Sequence, residues 1–305
     1  MKRKSPARSN RTRKKSSPKK RGQKPPFLQM NGFKILYYFF LLCLFIFTMG
    51  LTGYVIFFRT VTAAELPFEE SDITSYVPEP NGYINGSKPK VAVIIDDLGY
   101  HYQIGRDLLA LELDLSFSFL PHAPYTRPLE SEAYQKGRTI LLHQPLEPRG
   151  SEWDPGPGAL FTSGSMDEYR YQLEANLQAV PHATGINNHM GSKFTEDSRA
   201  MGQLLQLIKE KELYFIDSYT SSTSIGMMMA KDYQVATARR HVFLDNLQQQ
   251  DHICRQLNSL ANLAYKQGWA IGIGHPYAET YEALKNCGET TLSSVDLVGV
   301  DKLVD

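Results

Sequence analysis

The chain has 305 residues, of which 42% are hydrophobic and 21% charged, and its formal net charge at pH 7 is +1. These values are ordinary for a globular protein and allow one large domain or two small ones. No internal repeat recurs at a fixed period, which argues against a solenoid or a propeller. The near-neutral total hides an asymmetry, since residues 1–34 carry 13 Lys and Arg and no acid, whereas residues 60–305 carry 19 basic and 32 acidic residues.

The amino-terminal part of the chain predicts a membrane anchor. Residues 1–34 are rich in Lys, Arg, Ser and Pro and lack apolar periodicity, which indicates a disordered tail. Residues 35–58 contain no charged side chain. A helix of 24 residues at about 1.5 Å per residue exceeds the roughly 30 Å hydrocarbon core of a bilayer. Tyrosines lie toward both ends of this run, as interfacial aromatic residues do. We therefore predict a single transmembrane helix.

The charge distribution predicts the orientation of this anchor. Because cytoplasmic flanks carry an excess of Lys and Arg, residues 1–34 are expected in the cytoplasm and everything after Arg59 outside the inner membrane. The basic tail is expected to contact anionic lipid, and we expect no nucleic-acid partner. A cleaved signal peptide ending near residues 62–64 is the alternative. Its apolar region would have about 7–15 residues, so the longer run favours an uncleaved anchor.

A linker follows the predicted anchor. Residues 59–89 contain several prolines and acids with little periodicity, which indicates an extended linker before a folded domain at residues 90–305. Cys43 lies in the predicted span, so Cys254 and Cys287 remain outside it. In an oxidising compartment these two can form a disulfide, but the sequence does not show them to be close. The chain has no Cys-x-x-Cys pattern, which argues against a cysteine metal or redox site.

Within residues 90–305, short apolar strands alternate with segments of helical period. Such alternation predicts parallel strands, and seven or eight units predict an α/β fold with a (β/α) barrel rather than a small open sheet. The predicted strands are at 91–95, 115–120, 139–143, 183–188, 213–216, 241–244 and 269–273, with a further apolar stretch at 295–300. The predicted helices are at 102–113, 127–136, 166–180, 196–211, 225–233, 251–267 and 277–286.

Polar side chains follow six of the predicted strands. Because parallel strands place their carboxyl ends on one rim, these side chains are expected to share a single cleft. Neutral imidazole nitrogens and carboxylate oxygens are the usual ligands of a catalytic Zn²⁺ that keeps one position open for water, so the rim predicts a metal site. The residues concerned are Asp96, Asp97, His143, Asn187, Asn188, His189, Ser192, Asp217, Ser218, Asp245 and His275.

Structural explanations compete with these functional ones. Neighbouring side chains of a strand point to opposite faces, so only one of Asp96 and Asp97 is expected to face a shared ligand. A strand-end Asp often caps the helix that follows, which is the role we expect for Asp245. Neither Ser192 nor Ser218 lies in a Gly-x-Ser-x-Gly motif, which argues against a serine hydrolase. An isolated histidine is more often an ordinary core or surface residue, and this interpretation applies to His101, His122, His182, His241 and His252.

Seven motifs occur in order along the domain: Ile-Asp-Asp-Leu-Gly at 95–99, Leu-Pro-His-Ala-Pro at 120–124, Leu-Leu-His-Gln-Pro-Leu-Glu-Pro at 141–148, Gly-Ile-Asn-Asn-His-Met-Gly-Ser at 185–192, Phe-Ile-Asp-Ser at 215–218, Val-Phe-Leu-Asp-Asn at 242–246 and Ile-Gly-His-Pro at 273–276. Together they resemble the motifs of the divergent polysaccharide deacetylase family, from about residue 90 to the carboxyl terminus. The resemblance implies a fold similar to the seven-stranded (β/α) barrel of glycoside hydrolases and deacetylases.

The resemblance also implies a role for each strand-end residue. Asp96 would be the catalytic base and Asp97 a ligand of a divalent metal, expected to be zinc. His143 and His189 are the candidates for the remaining ligands. His275 resembles the histidine that acts as general acid, and Asp217 is expected to orient or tune one of these groups. The candidate substrate contacts are Asn187, Asn188, Ser192 and Ser218.

The implied activity is removal of an acetyl group from an N-acetylated cell-envelope polysaccharide, with peptidoglycan the natural candidate for a domain held outside the cytoplasmic membrane. Ordinary polysaccharide deacetylases take both ligand histidines from one His-x-x-x-His motif, and this sequence has no such pair. The alternative is therefore a non-catalytic envelope scaffold or glycan-binding protein that retains the deacetylase fold.

Overall fold

A computed structural model describes residues 32–61 and 88–305. Most of the predicted basic tail and of the predicted linker lies outside these residues. Helix α1 (Gly32–Val61) contains the helix predicted at 35–58. Its described side chains, those of Lys34 and residues 36–50, are all exposed. Within the described part of the chain, no helix has both the length and the apolar character needed to cross a membrane.

The second compact unit, residues 66–305, is built on a sheet of parallel strands. Its hydrogen-bonded order is β6-β5-β4-β3-β2-β1-β8-β7, and β9 pairs with the start of β1. The order ends at β6 and β7, and the curled sheet agrees with the predicted (β/α) barrel. The strands are β1 (Lys90–Leu98), β2 (Ser116–Phe119), β3 (Thr139–Leu146), β4 (Gly185–Met190), β5 (Tyr214–Asp217), β6 (Thr237–Arg239), β7 (Val242–Phe243), β8 (Trp269–Gly274) and β9 (Asp296–Leu297).

Helices connect most of the strands, as the alternation predicted. Helix α2 ends four residues before its predicted end, and the last predicted helix divides into α8, a π-helical turn at Leu284–Gly288 and α9. The helices of this unit are α2 (Tyr102–Leu109), α3 (Thr126–Gln135), α4 (Met166–Ala179), α5 (Ser198–Glu210), α6 (Gly226–Asp232), α7 (Gln250–Gln267), α8 (Ala278–Ala283) and α9 (Glu289–Leu292).

The strand predicted at 241–244 corresponds to the short strand β7 (Val242–Phe243), and a second short strand that was not predicted, β6 (Thr237–Arg239), precedes it. The two strands lie at opposite ends of the sheet order. Arg240 lies between them, and its guanidinium donates to the backbone carbonyls of Ser218 and Tyr219 at 2.8 and 3.0 Å. This side chain fastens the end of β6 beside β5, so the chain changes partner strand at Arg240.

Period-two alternation in β1 creates two hydrophobic layers. Val91, Val93 and Ile95 belong to the large core between the sheet and the helices. Ala92 and Ile94 belong to a smaller core on the inner face of the sheet. Because every second side chain shares a face, the next inward position after Ile94 is Asp96. The carboxyl end of β1 therefore brings a carboxylate to the inner face.

A disulfide joins Cys254 in α7 to Cys287 in the π-helical turn after α8. The Cα atoms are 6.1 Å apart, and 33 residues separate the two cysteines in sequence. The loop that it closes contains all of β8 and the segment that follows that strand. The pairing that the sequence left open is thus made in the structure.

Candidate metal centre

Three side chains from three strands converge at the carboxyl end of the sheet. Asp97 belongs to β1, His143 to β3 and His189 to β4. Asp97 Oδ1 is 3.0 Å from His143 Nε2 and 2.8 Å from His189 Nδ1, and the two nitrogens are 3.3 Å apart. Ligand atoms about 2.0–2.2 Å from a tetrahedral Zn²⁺ are separated by roughly 3.3 Å, so the triangle has the size of a metal site.

Asp97 Oδ1 is buried and receives no hydrogen bond among the described residues, although both imidazole nitrogens lie close to it. The hydrogen bond on the far side of His143 sets which of its nitrogens faces Asp97. Its Nδ1 donates to Asn187 Oδ1 at 2.9 Å, so that the neutral form of the ring has its lone pair at Nε2. In that neutral form the Nε2 lone pair faces the lone pairs of Asp97 Oδ1. A divalent cation suits this set of donors.

A bulge in β1 turns Asp97 toward the two histidines. The φ angle of Asp97 is +55°, and the register with β2 shifts between Ile95 and Leu98. Such a bulge interrupts the alternation and redirects one side chain. Both carboxylates consequently approach His143 Nε2, Asp97 at 3.0 Å and Asp96 at 3.7 Å. Of the two carboxylates, only Asp97 belongs to the group of three converging side chains and lies on the cleft wall.

Asn187 links Asp96 to His143. Its Nδ2 donates to Asp96 Oδ1 at 2.8 Å and to Ser218 Oγ at 3.2 Å, while its Oδ1 accepts from His143 Nδ1 and from Ser118 Oγ. The side chain is fully buried. The structure thus places this predicted substrate contact behind the rim, where it orients the Asp96 carboxyl group and the His143 ring.

His275 forms a second pair on the same rim. Its Nδ1 lies 2.9 Å from Asp245 Oδ1, and Asp245 Oδ2 accepts from Thr280 Oγ1 at 2.7 Å. Burial lowers the pKa of His275, but the charge and hydrogen bond of Asp245, together with the charges of Asp97 and Asp96, outweigh burial and raise this pKa to about 10. The ring is therefore an imidazolium at neutral pH, with Nδ1–H directed at Asp245.

The expectation that Asp245 caps the following helix was wrong. Helix α7 begins at Gln250, and its N-cap residue Gln249 makes no side-chain capping bond. The pairing of β7 with β8 explains the true position: Phe243 lies opposite Ile273, and the same register carried two residues further places Asp245 beside His275. The pairing of Asp245 with His275 can be predicted from this register, but not from either strand end considered alone.

The surroundings on the rim shift the pKa values of the adjacent Asp96 and Asp97 carboxyl groups in opposite directions. Burial raises the pKa of Asp96. His143, His275 and the hydrogen bond from Asn187 lower it by a smaller amount, so the net shift is upward. Burial also raises the pKa of Asp97, but the two close imidazoles hold it well below its usual range. For His143, burial lowers the pKa and the carboxylates raise it further, so the net direction is upward. Asp97 thus remains an anion, whereas Asp96 holds a proton more readily.

Side chains alternate between the two faces of β5, and this alternation places Asp217 away from the rim. Phe215 packs in the outer core, and Asp217, two residues later in β5, faces the same side. Its Oδ2 accepts from Ser224 Oγ at 2.8 Å and from the Met227 backbone N–H at 3.2 Å, and its Oδ1 accepts from the Tyr219 backbone N–H. These contacts hold the segment between β5 and α6. Within the described residues, no hydrogen bond joins Asp217 to the three converging side chains.

The other predicted substrate contacts fix the strand ends to one another. Asn188 Oδ1 accepts from the Ser218 backbone N–H at 2.8 Å, and Asn188 Nδ2 donates to the Met190 carbonyl at 2.7 Å. Ser192 Oγ accepts from the Arg149 backbone N–H at 3.0 Å. Ser218 and Asn188 are buried. Their described contacts are with the protein itself, so these side chains shape the rim from behind.

A cleft of about 350 Å³ opens over the centre. Asp97, His189 and His275 lie on its wall, which also includes a Gly/Pro-rich loop after β3. Sequence reasoning had left most of this wall unassigned, because strand-end placement says nothing about how loops fold back. The further wall residues are Tyr100, His101, Leu120, His122, Ala123, Pro145, Asp154, Pro155, Gly156, Pro157, Pro276 and Tyr277.

Comparisons with known proteins agree with the geometry. The sequence profile of the divergent polysaccharide deacetylase family matches residues 93–304. An uncharacterized protein of Haemophilus influenzae is 34% identical over 217 residues, which are 71% of this chain and 77% of that protein. The uncharacterized protein YibQ of Escherichia coli is 33% identical over 216 residues, which cover 71% of this chain and 67% of YibQ. The crystal structure of an uncharacterized protein from Agrobacterium tumefaciens superposes with a TM-score of 0.68 at 25% identity, covering 73% of this chain and 92% of that one.

Proposed function

Because the chain belongs to the divergent polysaccharide deacetylase family, we propose that it is a metal-dependent hydrolase that removes an acetyl group from an N-acetylated polysaccharide of the cell envelope. One observation carries this proposal: Asp97, His143 and His189 converge on one point, beside a buried carboxyl and an imidazolium. An acid, a base and a cation site on one rim are the parts that amide hydrolysis requires.

Asp97, His143 and His189 would hold the metal. Two nitrogens and one oxygen are a donor set that would favour Zn²⁺. When bound, such an ion polarises an amide carbonyl and lowers the pKa of a water molecule from about 15.7 toward about 7. Asn187 contributes by fixing His143 so that Nε2, and not Nδ1, faces the ion.

Asp96 is placed to act as the base. Asn187 Nδ2 occupies its Oδ1, which leaves Oδ2 as the atom that can accept a proton from the attacking water. The raised pKa of the Asp96 carboxyl, caused first by burial, brings its proton affinity closer to the working pH. A base whose pKa is close to the working pH transfers protons most efficiently.

His275 is placed to act as the acid. Its Nδ1–H bonds to Asp245, so the Nε2 proton remains free for the departing sugar amine. His275 lies on the cleft wall together with Asp97. Protonation of the amine breaks the carbon–nitrogen bond in favour of acetate and a free ammonium group.

The proposed location is the outer face of the cytoplasmic membrane, with peptidoglycan as the polysaccharide. The uncharged run at 35–58 would be the anchor, and the basic residues before it would stay in the cytoplasm in contact with anionic lipid. The Cys254–Cys287 disulfide supports this location, because disulfides persist in oxidising compartments outside the cytoplasm.

Acetate release by the full chain, purified in detergent and loaded with Zn²⁺, tests the proposal. The substrates are peptidoglycan sacculi and the N-acetylated tetrasaccharide of chitin. We expect Asp97→Ala to abolish both zinc retention, measured by elemental analysis, and acetate release. Asp107→Ala is the matched control, because Asp107 is a carboxylate of α2 that accepts a hydrogen bond from Gln103 on the same helix. Failure of the zinc-loaded protein to release acetate from either substrate would overturn the proposal.

A further inference from the structure

Two buried side-chain amides form a chain of hydrogen bonds that starts at backbone carbonyls and ends at His122 on the cleft wall. The first is Gln144 in β3, which is fully buried. Its Nε2 donates to the carbonyls of Pro145 and Gly158 at 2.9 and 3.0 Å. Since both partners are acceptors, the amide has a single orientation, and Gln144 Oε1 is left to accept a hydrogen bond.

The second amide is Asn176 in α4, which is also fully buried. Its Nδ2 donates to Gln144 Oε1 and to the Gly158 carbonyl, both at 2.8 Å. The orientation of Asn176 is therefore fixed as well, and its Oδ1 is the atom that lies 2.9 Å from His122 Nε2. An amide oxygen can only accept, so His122 Nε2 must carry the proton.

This fixes the chemical character of the opposite edge of the ring. A neutral histidine with its proton on Nε2 has a lone pair on Nδ1. The Cδ2–Nε2 edge faces Asn176 and Gly158, since a Cβ placed on Gly158 would lie 3.0 Å from Cδ2. Nδ1 lies on the other side of the ring and makes no hydrogen bond with the described residues. The ring itself is exposed and lines the cleft together with Asp97 and His275.

We propose that His122 is a substrate-binding residue whose Nδ1 accepts a hydrogen bond from a hydroxyl or amide N–H group of the glycan in the cleft. Two buried side chains serve to hold one tautomer of an exposed ring, which is more than packing requires. The interpretation of His122 as an ordinary surface histidine is replaced by this role. The inference rests on the proposed function and adds to it a contact that selects for a hydrogen-bond donor on the substrate.

Two substitutions test the roles of the two ring nitrogens of His122 independently. In His122→Gln the side-chain amide nitrogen takes the place of Nε2–H and keeps the bond to Asn176, but no acceptor remains at the position of Nδ1. In His122→Asn the side-chain oxygen lies near the position of Nδ1, and the contact with Asn176 is lost. His182→Gln is the matched control, because His182 pairs with Glu130 before the amino end of β4 and is absent from the cleft wall.

Steady-state acetate release from the N-acetylated tetrasaccharide of chitin is measured for the zinc-loaded full chain and the three variants. A single neutral hydrogen bond is worth about 0.5–1.5 kcal/mol, so we expect KM to rise about three- to tenfold in His122→Gln while kcat stays within about twofold. His122→Asn should recover most of the lost affinity, and His182→Gln should match the unmodified enzyme. Nitrogen NMR of the free protein should show the Nε2–H tautomer of His122.

Two results would overturn the inference while leaving the proposed function intact: an unchanged KM in His122→Gln, or an Nδ1–H tautomer in the free protein. Absence of both acetate release and tetrasaccharide binding in the unmodified zinc-loaded protein would instead overturn the proposed function, and the inference with it. A melting temperature of His122→Gln equal to that of the unmodified protein shows that a change in KM comes from the cleft and not from misfolding.

Discussion

Replacing Asp245 by Asn tests the charge state of the proposed acid directly. Burial lowers the pKa of His275, while the charge and hydrogen bond of Asp245, followed by the charges of Asp97 and Asp96, raise it to about 10. Asparagine keeps the shape and an oxygen near Nδ1 but removes the charge. We therefore expect the pKa of His275 to fall by about three units or more, to its ordinary value near 6.5 or below.

The consequence at pH 8 is large. With a pKa near 10 about 99% of His275 is imidazolium, whereas with a pKa near 6.5 only about 3% is. If the imidazolium protonates the leaving amine, acetate release at pH 8 should fall about thirtyfold in Asp245→Asn, and the alkaline limb of the pH profile should move down by about three units.

The assay is an NMR titration of the His275 Cε1–H resonance in metal-free protein between pH 5 and pH 10.5. Asp217→Asn is the control, because this buried strand-end carboxylate bonds to the segment before α6 and not to His275. The reasoning is refuted if His275 of the unmodified protein titrates near pH 6.5, or if Asp245→Asn leaves its pKa above about 9.

The pH dependence of the free energy of unfolding should also reveal the Asp245–His275 pair. The folded pKa of His275 lies above its unfolded value, so the stabilisation is fully present below about pH 6.5 and is lost as the pH rises toward 10. The loss is about 1.4 kcal/mol per pH unit across that window. Urea unfolding of the unmodified protein should show this slope, and Asp245→Asn should lack it.

Three further predictions follow from other parts of the domain. Asn187→Leu leaves the ligands in place but frees the orientation of His143, so we expect zinc affinity, measured by competition with a chelating dye, to fall about 10- to 100-fold; an unchanged affinity would show that His143 needs no such support. Changing Cys254 and Cys287 to Ser opens a loop of 33 residues and should lower the free energy of unfolding in urea by about 3–4 kcal/mol, and a loss below about 1 kcal/mol would contradict this estimate. Burial, with Arg239 and Arg240 nearby, lowers the pKa of His241 to about 4, so stability should decline as the pH falls from about 6.5 to about 4, by about 2–3 kcal/mol in total; a His241→Gln variant with the same decline would assign it to other groups.

Much of the site could be predicted because alternation and strand ends are properties of the sequence. Once Ala92 and Ile94 are placed on the inner face, Asp96 must follow them, and Phe215 in the outer core carries Asp217 outward in the same way. The second of these deductions was available from the sequence but was not made. Only the strand-end position of Asp217 was used, without the face to which it belongs.

The rest depended on features that arise only when the chain is folded. The bulge that turns Asp97 toward His143 is a departure from regular strand geometry, and no residue type requires it. The Asp245–His275 pair depends on the register between β7 and β8. The facing positions Val242 and Gly272 are 30 residues apart in sequence, with helix α7 between them. The cleft wall depends on loops, whose paths carry no periodic signal.

The two histidines lie on the adjacent strands β3 and β4, and not on one turn of a helix, which is why the sequence has no His-x-x-x-His motif. In the β3–β4 register His143 lies opposite Asn187, and Pro145 lies opposite His189. His189 is therefore one inward-facing step, about 6.6 Å, further along the sheet than His143. The two rings compensate for this offset by using different nitrogens: His143 reaches forward with the distal Nε2, and His189 uses the proximal Nδ1. Because a metal site constrains the distances between ligand atoms and not the spacing of residues along the chain, two adjacent parallel strands would supply in the proposed metal site what a single helical motif supplies in ordinary polysaccharide deacetylases.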